Sequence, residues 1–238
     1  MIKLAIVGCQ GRMGKRITEL ASQDKDIQIT ALIERPDCPD CPDNILGVKV
    51  ARDINAIRGA DVLIDFTAPS ATMKNLEACL RHRVRIVIGT TGLSAEEDEL
   101  IIAASKSLGV VHSSNMSVGV NVMFGLLRKM AEALKGYHVS ITETHHVHKK
   151  DAPSGTARTM ADIIQNASQL QNVPIKSVRE GEVIGYHKVS FKGAVDTIEI
   201  SHNANTRDMF AEGAIVAAKF VAYKDNGLYN MQAVLGLN

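Results

Sequence analysis

Short apolar runs alternate with helical periodicity through the first half of the chain. Residues 2–7 read as a buried parallel strand. A glycine-rich loop follows, Gly8-Cys9-Gln10-Gly11-Arg12-Met13-Gly14, and opens a helix with Met13, Ile17, Leu20 and Ala21 on one face. Residues 27–33 form a second strand. Glu34 ends it, 20 residues after Gly14, where a ribose-binding acid stands in dinucleotide-binding folds. An ordinary tight turn would also fit the loop alone. The order strand, Gly-rich turn, helix, strand, acid favours the dinucleotide reading. Strands at 62–66, 85–88 and 109–112 continue the alternation, with Ser70 and Ser94 expected to cap helices reaching about His82 and Ser107. This predicts an α/β fold with a Rossmann-type, doubly wound parallel sheet. Its ligand-binding edge would carry the Gly8 loop, Glu34-Arg35, residues 67–69, Gly89-Thr90-Thr91 and Ser113-Ser114-Asn115-Met116.

The pattern then changes. A long helix is predicted over 118–134, a strand over 138–147, a helix from Ser154, and a hairpin of 183–191 with 195–202 around Lys192-Gly193. An apolar helix over 210–221 and a short tail are expected to pack back on the first domain. Strands and helices no longer alternate regularly, which predicts an α+β second domain. The expected division is 1–116 with 207–238 for the first domain and 117–206 for the second.

The richest chemistry lies in Glu143-Thr144-His145-His146-Val147-His148-Lys149-Lys150-Asp151-Ala152-Pro153-Ser154-Gly155-Thr156. A period of two places Glu143 and His145 on one strand face and His146 on the other. Ser154 suits an N-cap, with Ala157, Met160, Ala161 and Ile164 at helical spacing behind it. Gly155 and Thr156 would then lie in a first turn whose dipole favours an anion, and Gly155 leaves its backbone open to close approach. A cationic strand end facing such a turn suits a small carboxylated substrate that needs a proton. Two other readings remain: a solvated charged loop, and a zinc site through His146 and His148, although no HExxH helix accompanies them.

Composition narrows the function. The 238 residues carry a net charge of +1, 27 basic against 26 acidic, with 5 Phe, 4 Tyr and no Trp, so neither a basic stripe nor stacking aromatics points to nucleic acid. The first residues are too short an apolar run for a signal peptide, and none approaches a membrane span, so a cytoplasmic protein is expected. Four cysteines fit a reducing compartment. Cys38 and Cys41 form a lone Cys-x-x-Cys, readable as a proline-punctuated loop, half a zinc site or a redox pair.

The segment His145 to Ala157, His-His-x-x-Lys-x-Asp-Ala-Pro-Ser-Gly-Thr-Ala, closely resembles that of bacterial dihydrodipicolinate reductases, the 4-hydroxy-tetrahydrodipicolinate reductases of lysine and diaminopimelate synthesis. The Gly8 loop, Glu34-Arg35, Asp65-Phe66-Thr67, Gly89 to Gly92, Asn115 to Asn121 and the His187 hairpin follow in family order. The resemblance implies NADH or NADPH as cofactor, a dinucleotide domain split in sequence, a substrate domain between its parts and a homotetramer built through that domain's sheets. It implies proton donation by His145 and Lys149, and substrate binding by His146, Gly155 and Thr156. It implies cofactor contacts from Gly8, Cys9, Gln10, Gly11, Arg12, Met13, Glu34, Arg35, Gly89, Thr90, Thr91, Ser113, Ser114, Asn115 and Met116. The implied substrate is a cyclic imine with two carboxylates, reduced by hydride at C4 and protonated at C3. Closure about Met116–Ser117 and Asn205–Arg207 is expected to bring the two domains' ligands together. Two other functions fit the first domain: a dinucleotide-binding redox sensor, and another small-substrate dehydrogenase, such as an amino-acid or semialdehyde enzyme.

Overall fold

The computed structural model describes residues 1–237. In chain order the elements are β1 (Ile2–Val7), α1 (Arg12–Ser22), β2 (Ile27–Ile33), β3 (Asn44–Ile45), β4 (Val48–Ala51), β5 (Val62–Asp65), α2 (Pro69–His82), β6 (Arg85–Ile88), α3 (Ala95–Ser105) and β7 (Gly109–His112). There follow α4 (Val118–Ala133), β8 (His138–His145), α5 (Gly155–Ser168), β9 (Ile175–Arg179), β10 (Tyr186–Lys192), β11 (Thr197–Asn203), α6 (Asp208–Val221), β12 (Gly227–Tyr229) and α7 (Met231–Val234). The chain forms two compact units, Met1–Ser117 with Phe210–Gly236, and Val118–Met209. No helix among the described residues is long and apolar enough to cross a membrane.

The first unit is built on an eight-stranded sheet of order β12-β7-β6-β5-β1-β2-β4-β3, parallel except for the β3–β4 pair. From β1 the chain moves outward through β2 in one direction and through β5, β6 and β7 in the other. The switch point, where ligands bind such sheets, therefore lies between β1 and β5. Leu4, Ala5, Ile6, Val62, Leu63 and Ile64 are fully buried, as expected for strands covered on both faces.

The second unit has a four-stranded sheet, β11-β10-β8-β9, in which only β8 and β9 run parallel. Val139, Ile141, Val189 and Phe191 from the sheet share one core with Val120, Leu127, Ala157 and Ile164 from α4 and α5. Along β8 the buried positions are Val139, Ile141, Glu143 and His145, so the hydrophobic face of the strand ends in two polar residues.

Several expectations need correction. Ser70 does not cap α2; the N-cap is Ala68, and Pro69 opens the helix with its ring already set for helical φ. Ser94 does cap α3, in a reciprocal capping box with Glu97. The strand predicted to Val147 stops at His145, and the hairpin strands begin only at Tyr186 and Thr197, joined by a loop in which Gly193 N–H donates to Asp196 O at 2.9 Å. The sequence reading missed β3, β4, β9 and β12. The β3–β4 turn uses Leu46 and Gly47, both at positive φ (51° and 79°), without the Asn-Gly or Asp-Gly that marks such turns. In β9 no side chain is fully buried, so it lacks an apolar signature.

Candidate active site

At the sheet edge of the first unit, Gly8 ends β1 at φ +69°, and a Cβ there would lie 2.9 Å from Thr67 Cγ2. The loops after β1 and β5 thus abut at the switch point. A Cβ on Gly14 would sit 2.0 Å from Gly8 O, so only glycine lets α1 start this close to the loop. Gly11 N–H donates to Gly8 O at 2.9 Å and closes the turn. The N–H groups of Arg12, Met13 and Gly14 fall in the first turn of α1, which offers donors and a positive dipole end to a phosphate. A pyrophosphate fits this cradle.

Glu34 is 8% exposed, and its carboxylate accepts Gln10 N–H at 2.8 Å and Arg35 N–H at 3.0 Å. It therefore braces the glycine loop, and its remaining lone pairs can accept ribose hydroxyls. The Arg35 guanidinium is exposed, 3.6 Å from Asp37. Cys9 is fully buried; burial, and then the Glu34 charge, push its thiol up to about 12, so it packs rather than reacts.

The two neighbouring turns are held from within. Thr90 is buried, and its hydroxyl accepts Thr67 N–H (3.1 Å) and the Thr72 hydroxyl (2.9 Å) beside the buried carboxylate of Asp65. Gly89 lies against the Phe66 ring, where a Cβ would come within 2.2 Å, while Thr91 is exposed. After β7, the Ser113 hydroxyl donates to Asn115 O and Asn115 Oδ1 accepts Ser117 N–H, leaving Ser114 exposed and Met116 buried. Cys38 and Cys41 are free thiols, and among the described residues they belong to no three-membered group of potential metal ligands.

In the second unit His145, 7% exposed, ends β8 with Nδ1 hydrogen-bonded to Glu143. Its pKa is lowered: burial is the largest influence, the Glu143 carboxylate opposes it, and the Lys149 and Arg179 charges add to the lowering. Glu143 is fully buried; burial alone would raise its carboxyl, but hydrogen bonds from Arg179, Ser177 and His145 outweigh that and hold it below the usual range. The Arg179 guanidinium lies 3.0 Å from Glu143. The His187 ring meets His145 edge-on at 5.1 Å, and its Nε2 is 3.2 Å from Ser154 Oγ.

Lys149 Nζ pairs with Asp151 at 2.8 Å and is only part-exposed. Ser154 Oγ accepts Ala157 N–H at 3.2 Å as the N-cap of α5, so Gly155 and Thr156 open that helix. A Cβ on Gly155 would meet nothing within 4 Å, so the space in front of this anion-favouring end is open. His146 is half-buried, its ring 6.1 Å from that of the exposed His148. The zinc reading through these two is not what the geometry brings together. Among the described residues the one group of three potential ligands is Glu143, His145 and His187, within 4.8 Å of one another. The Arg179 charge against Glu143 opposes a cation there and fits a hydrogen-bonded network instead.

The sequence reading placed Glu143 and His187 in the right segments without giving them roles, and it missed Arg179 altogether. The i, i+2 spacing of Glu143 and His145 on one strand face was the available signal. Arg179 had none, because β9 itself was invisible.

A nucleotide-type sheet and a buried histidine beside a cation and a helix start define a dinucleotide-dependent enzyme acting on a small anion. Family models described as "Dihydrodipicolinate reductase, N-terminus" and "Dihydrodipicolinate reductase, C-terminus" match residues 2–116 and 119–235. A 4-hydroxy-tetrahydrodipicolinate reductase of Nitrosomonas eutropha is 40% identical over 100% of this chain and 99% of its own. One from Geotalea daltonii is 41% identical over 100% of both. The solved dihydrodipicolinate reductase of Paenisporosarcina sp. TG-14, with dipicolinate bound, superposes with a TM-score of 0.85 at 25% identity over 97% of each chain. An amine dehydrogenase of Mycobacterium smegmatis shares the fold alone, with a TM-score of 0.70 at 14% identity. The chain belongs to the dihydrodipicolinate reductase family.

Proposed function

We infer that this chain reduces 4-hydroxy-tetrahydrodipicolinate to tetrahydrodipicolinate with NADH or NADPH, a step of lysine and diaminopimelate synthesis. The observation that carries this is the family match along the whole chain, with the buried His145 and the part-buried Lys149 in the segment leading to the N-terminus of α5. A coupled assay with freshly generated substrate and either cofactor tests it, and no oxidation of NADH or NADPH would overturn it. A non-catalytic redox sensor would need the first unit but not this second cluster.

The bound nicotinamide supplies hydride. The backbone of the Gly8 loop through Met13 would hold the pyrophosphate, with Glu34 on the adenosine ribose and the turns at Gly89–Thr91 and Ser113–Met116 lining the rest. Lys149, His146 and the first turn of α5 at Gly155 and Thr156 would bind the substrate's carboxylates. His145, as the imidazolium, would give its Nε2 proton to C3, since Nδ1 is turned to Glu143. A dianionic substrate raises the proton affinity of a nearby imidazole, offsetting the effect of burial at the moment the proton is needed. We assign residues 1–116 with 207–238 to the dinucleotide domain and 117–206 to substrate binding and tetramer formation. The assembly is proposed to be a homotetramer in the cytoplasm. Light scattering on eluted protein tests the state.

Two expected results follow from the local geometry. Arg35→Ala should weaken NADPH about tenfold, near the ~1.5 kcal/mol of one charge-assisted hydrogen bond, and leave NADH unchanged. Glu34 favours NADH and Arg35 favours NADPH, so both cofactors should work. Isothermal titration of both cofactors decides; equal losses would show that Arg35 does not read the 2′-phosphate. Gly185→Ala should place a methyl 3.2 Å from His145 Nε2 and lower kcat about tenfold, for a crowding cost on the order of 1–2 kcal/mol. Unchanged kcat would mean that Nε2 is not the reacting atom.

A further inference from the structure

The Arg179 guanidinium faces several partners at once. It is 3.0 Å from Glu143, and it donates to Asp151 O (2.6 Å), Lys149 O (3.4 Å) and Val178 O (2.7 Å). One planar cation thus fastens both the buried carboxylate beside His145 and the backbone of the loop that carries Lys149. A fully buried carboxylate held by a guanidinium is fixed in place and stays charged, because protonating it would leave the cation unpaired. Its other oxygen meets His145 Nδ1.

We propose that Glu143, clamped by Arg179, is the positioning residue that holds one proton of His145 on Nδ1, so that Nε2 takes up a second proton from solvent and the resulting imidazolium presents that Nε2 proton to the substrate. This rests on His145 being the proton donor. An imidazole takes the tautomer set by the partner of its other nitrogen, and a carboxylate accepts only a donor. Glu143 also raises the proton affinity of His145 against the groups that lower it. Those facing it are Lys149 in the following loop and Arg179 on β9; the His187 ring on β10 also faces it, with His202 on β11 near His187. Without the carboxylate, His145 loses both its orientation and part of its ability to carry a proton.

The decisive comparison is among Glu143→Gln, Glu143→Asp, His145→Gln and the double variant Glu143→Gln/His145→Gln. Glu143→Gln should lower kcat at least tenfold, and the fall of kcat/KM with rising pH should move to lower pH. Glu143→Asp, which keeps the charge, should recover part of the rate and of the pH profile. In the His145→Gln background the second substitution should cost less than twofold. Wild-type kcat and pH profile in Glu143→Gln, beside a crippled His145→Gln, would overturn the inference while leaving the proton donor in place. Wild-type activity in His145→Gln would instead remove the donor on which it rests. Should Glu143→Gln not fold, long-range 1H–15N NMR of the unsubstituted enzyme above the His145 pKa decides. Protonated Nδ1 with bare Nε2 supports the proposal, and the opposite tautomer overturns it.

Discussion

His145→Gln and Lys149→Ala are expected to fail in different ways. Loss of the imidazole should lower kcat by about 10²-fold, the scale of general-acid catalysis, with little change in binding of a dicarboxylate such as pyridine-2,6-dicarboxylate. Gln keeps a polar side chain but cannot give up a proton. Lys149→Ala removes a fixed positive charge, so it should weaken that same inhibitor as well as slow turnover. Lys149 is held by Asp151 at 2.8 Å, so its loss also frees a carboxylate in the same loop, and the repulsion adds to the binding defect. Steady-state kinetics with inhibitor titration separates the two effects. If both variants keep wild-type kcat/KM, the chemistry lies elsewhere.

The second large effect concerns acid stability. His187 is 4% exposed, and burial, with the neighbouring His145 next in size, lowers its pKa from 6.5 to about 4. Between those values the unfolded chain binds a proton that the folded chain refuses. Stability therefore falls as pH drops from 6.5 toward 4, by roughly 3 kcal/mol at 1.36 kcal/mol per pH unit. Glu143, whose pKa is depressed, adds a loss of the same sign, but only below its ordinary 4.5. Urea unfolding at pH 7 and pH 5 thus isolates the histidines. His187→Gln should be less stable at pH 7, through loss of the Ser154 contact, yet show a shallower decline between those two pH values. Parallel declines in variant and wild type would mean that His187 does not carry the effect.

The five central strands of the first unit's sheet were legible because they are apolar runs punctuated by glycine and serine turns, a pattern set by burial on both faces, whereas the short outer strands β3, β4 and β12 carry no such run. Glu34 was found by spacing alone, yet its bond to Gln10 N–H, which braces the glycine loop, was not foreseeable without coordinates. In the second unit the period of two gave β8 and the shared face of Glu143 and His145. The partners of that face come from β9 and β10, which pair with β8 from 30 or more residues away in sequence. Arg179 illustrates the limit: a long-range ion pair leaves no local periodicity, and its strand carries no buried apolar residue. Ser70 failed for a smaller reason, since Pro69 already supplies a helix start and takes the first position itself.

The route of the chain has a consequence for how it is made. The outer edge of β7 is closed only by β12, through Gly227↔Gly109, Leu228↔Val110 and Tyr229↔Val111. Arg85 fastens the same corner by donating to Lys224 O at 2.7 Å across 139 residues of sequence. On the ribosome, β7 therefore emerges with a bare row of amides and carbonyls, and the whole second unit is synthesised before its partner appears. Such an edge invites pairing with another chain, and closure over so long a span is slow. A substitution that weakens β12 should therefore show first as lower soluble yield, while the molecules that do fold remain competent.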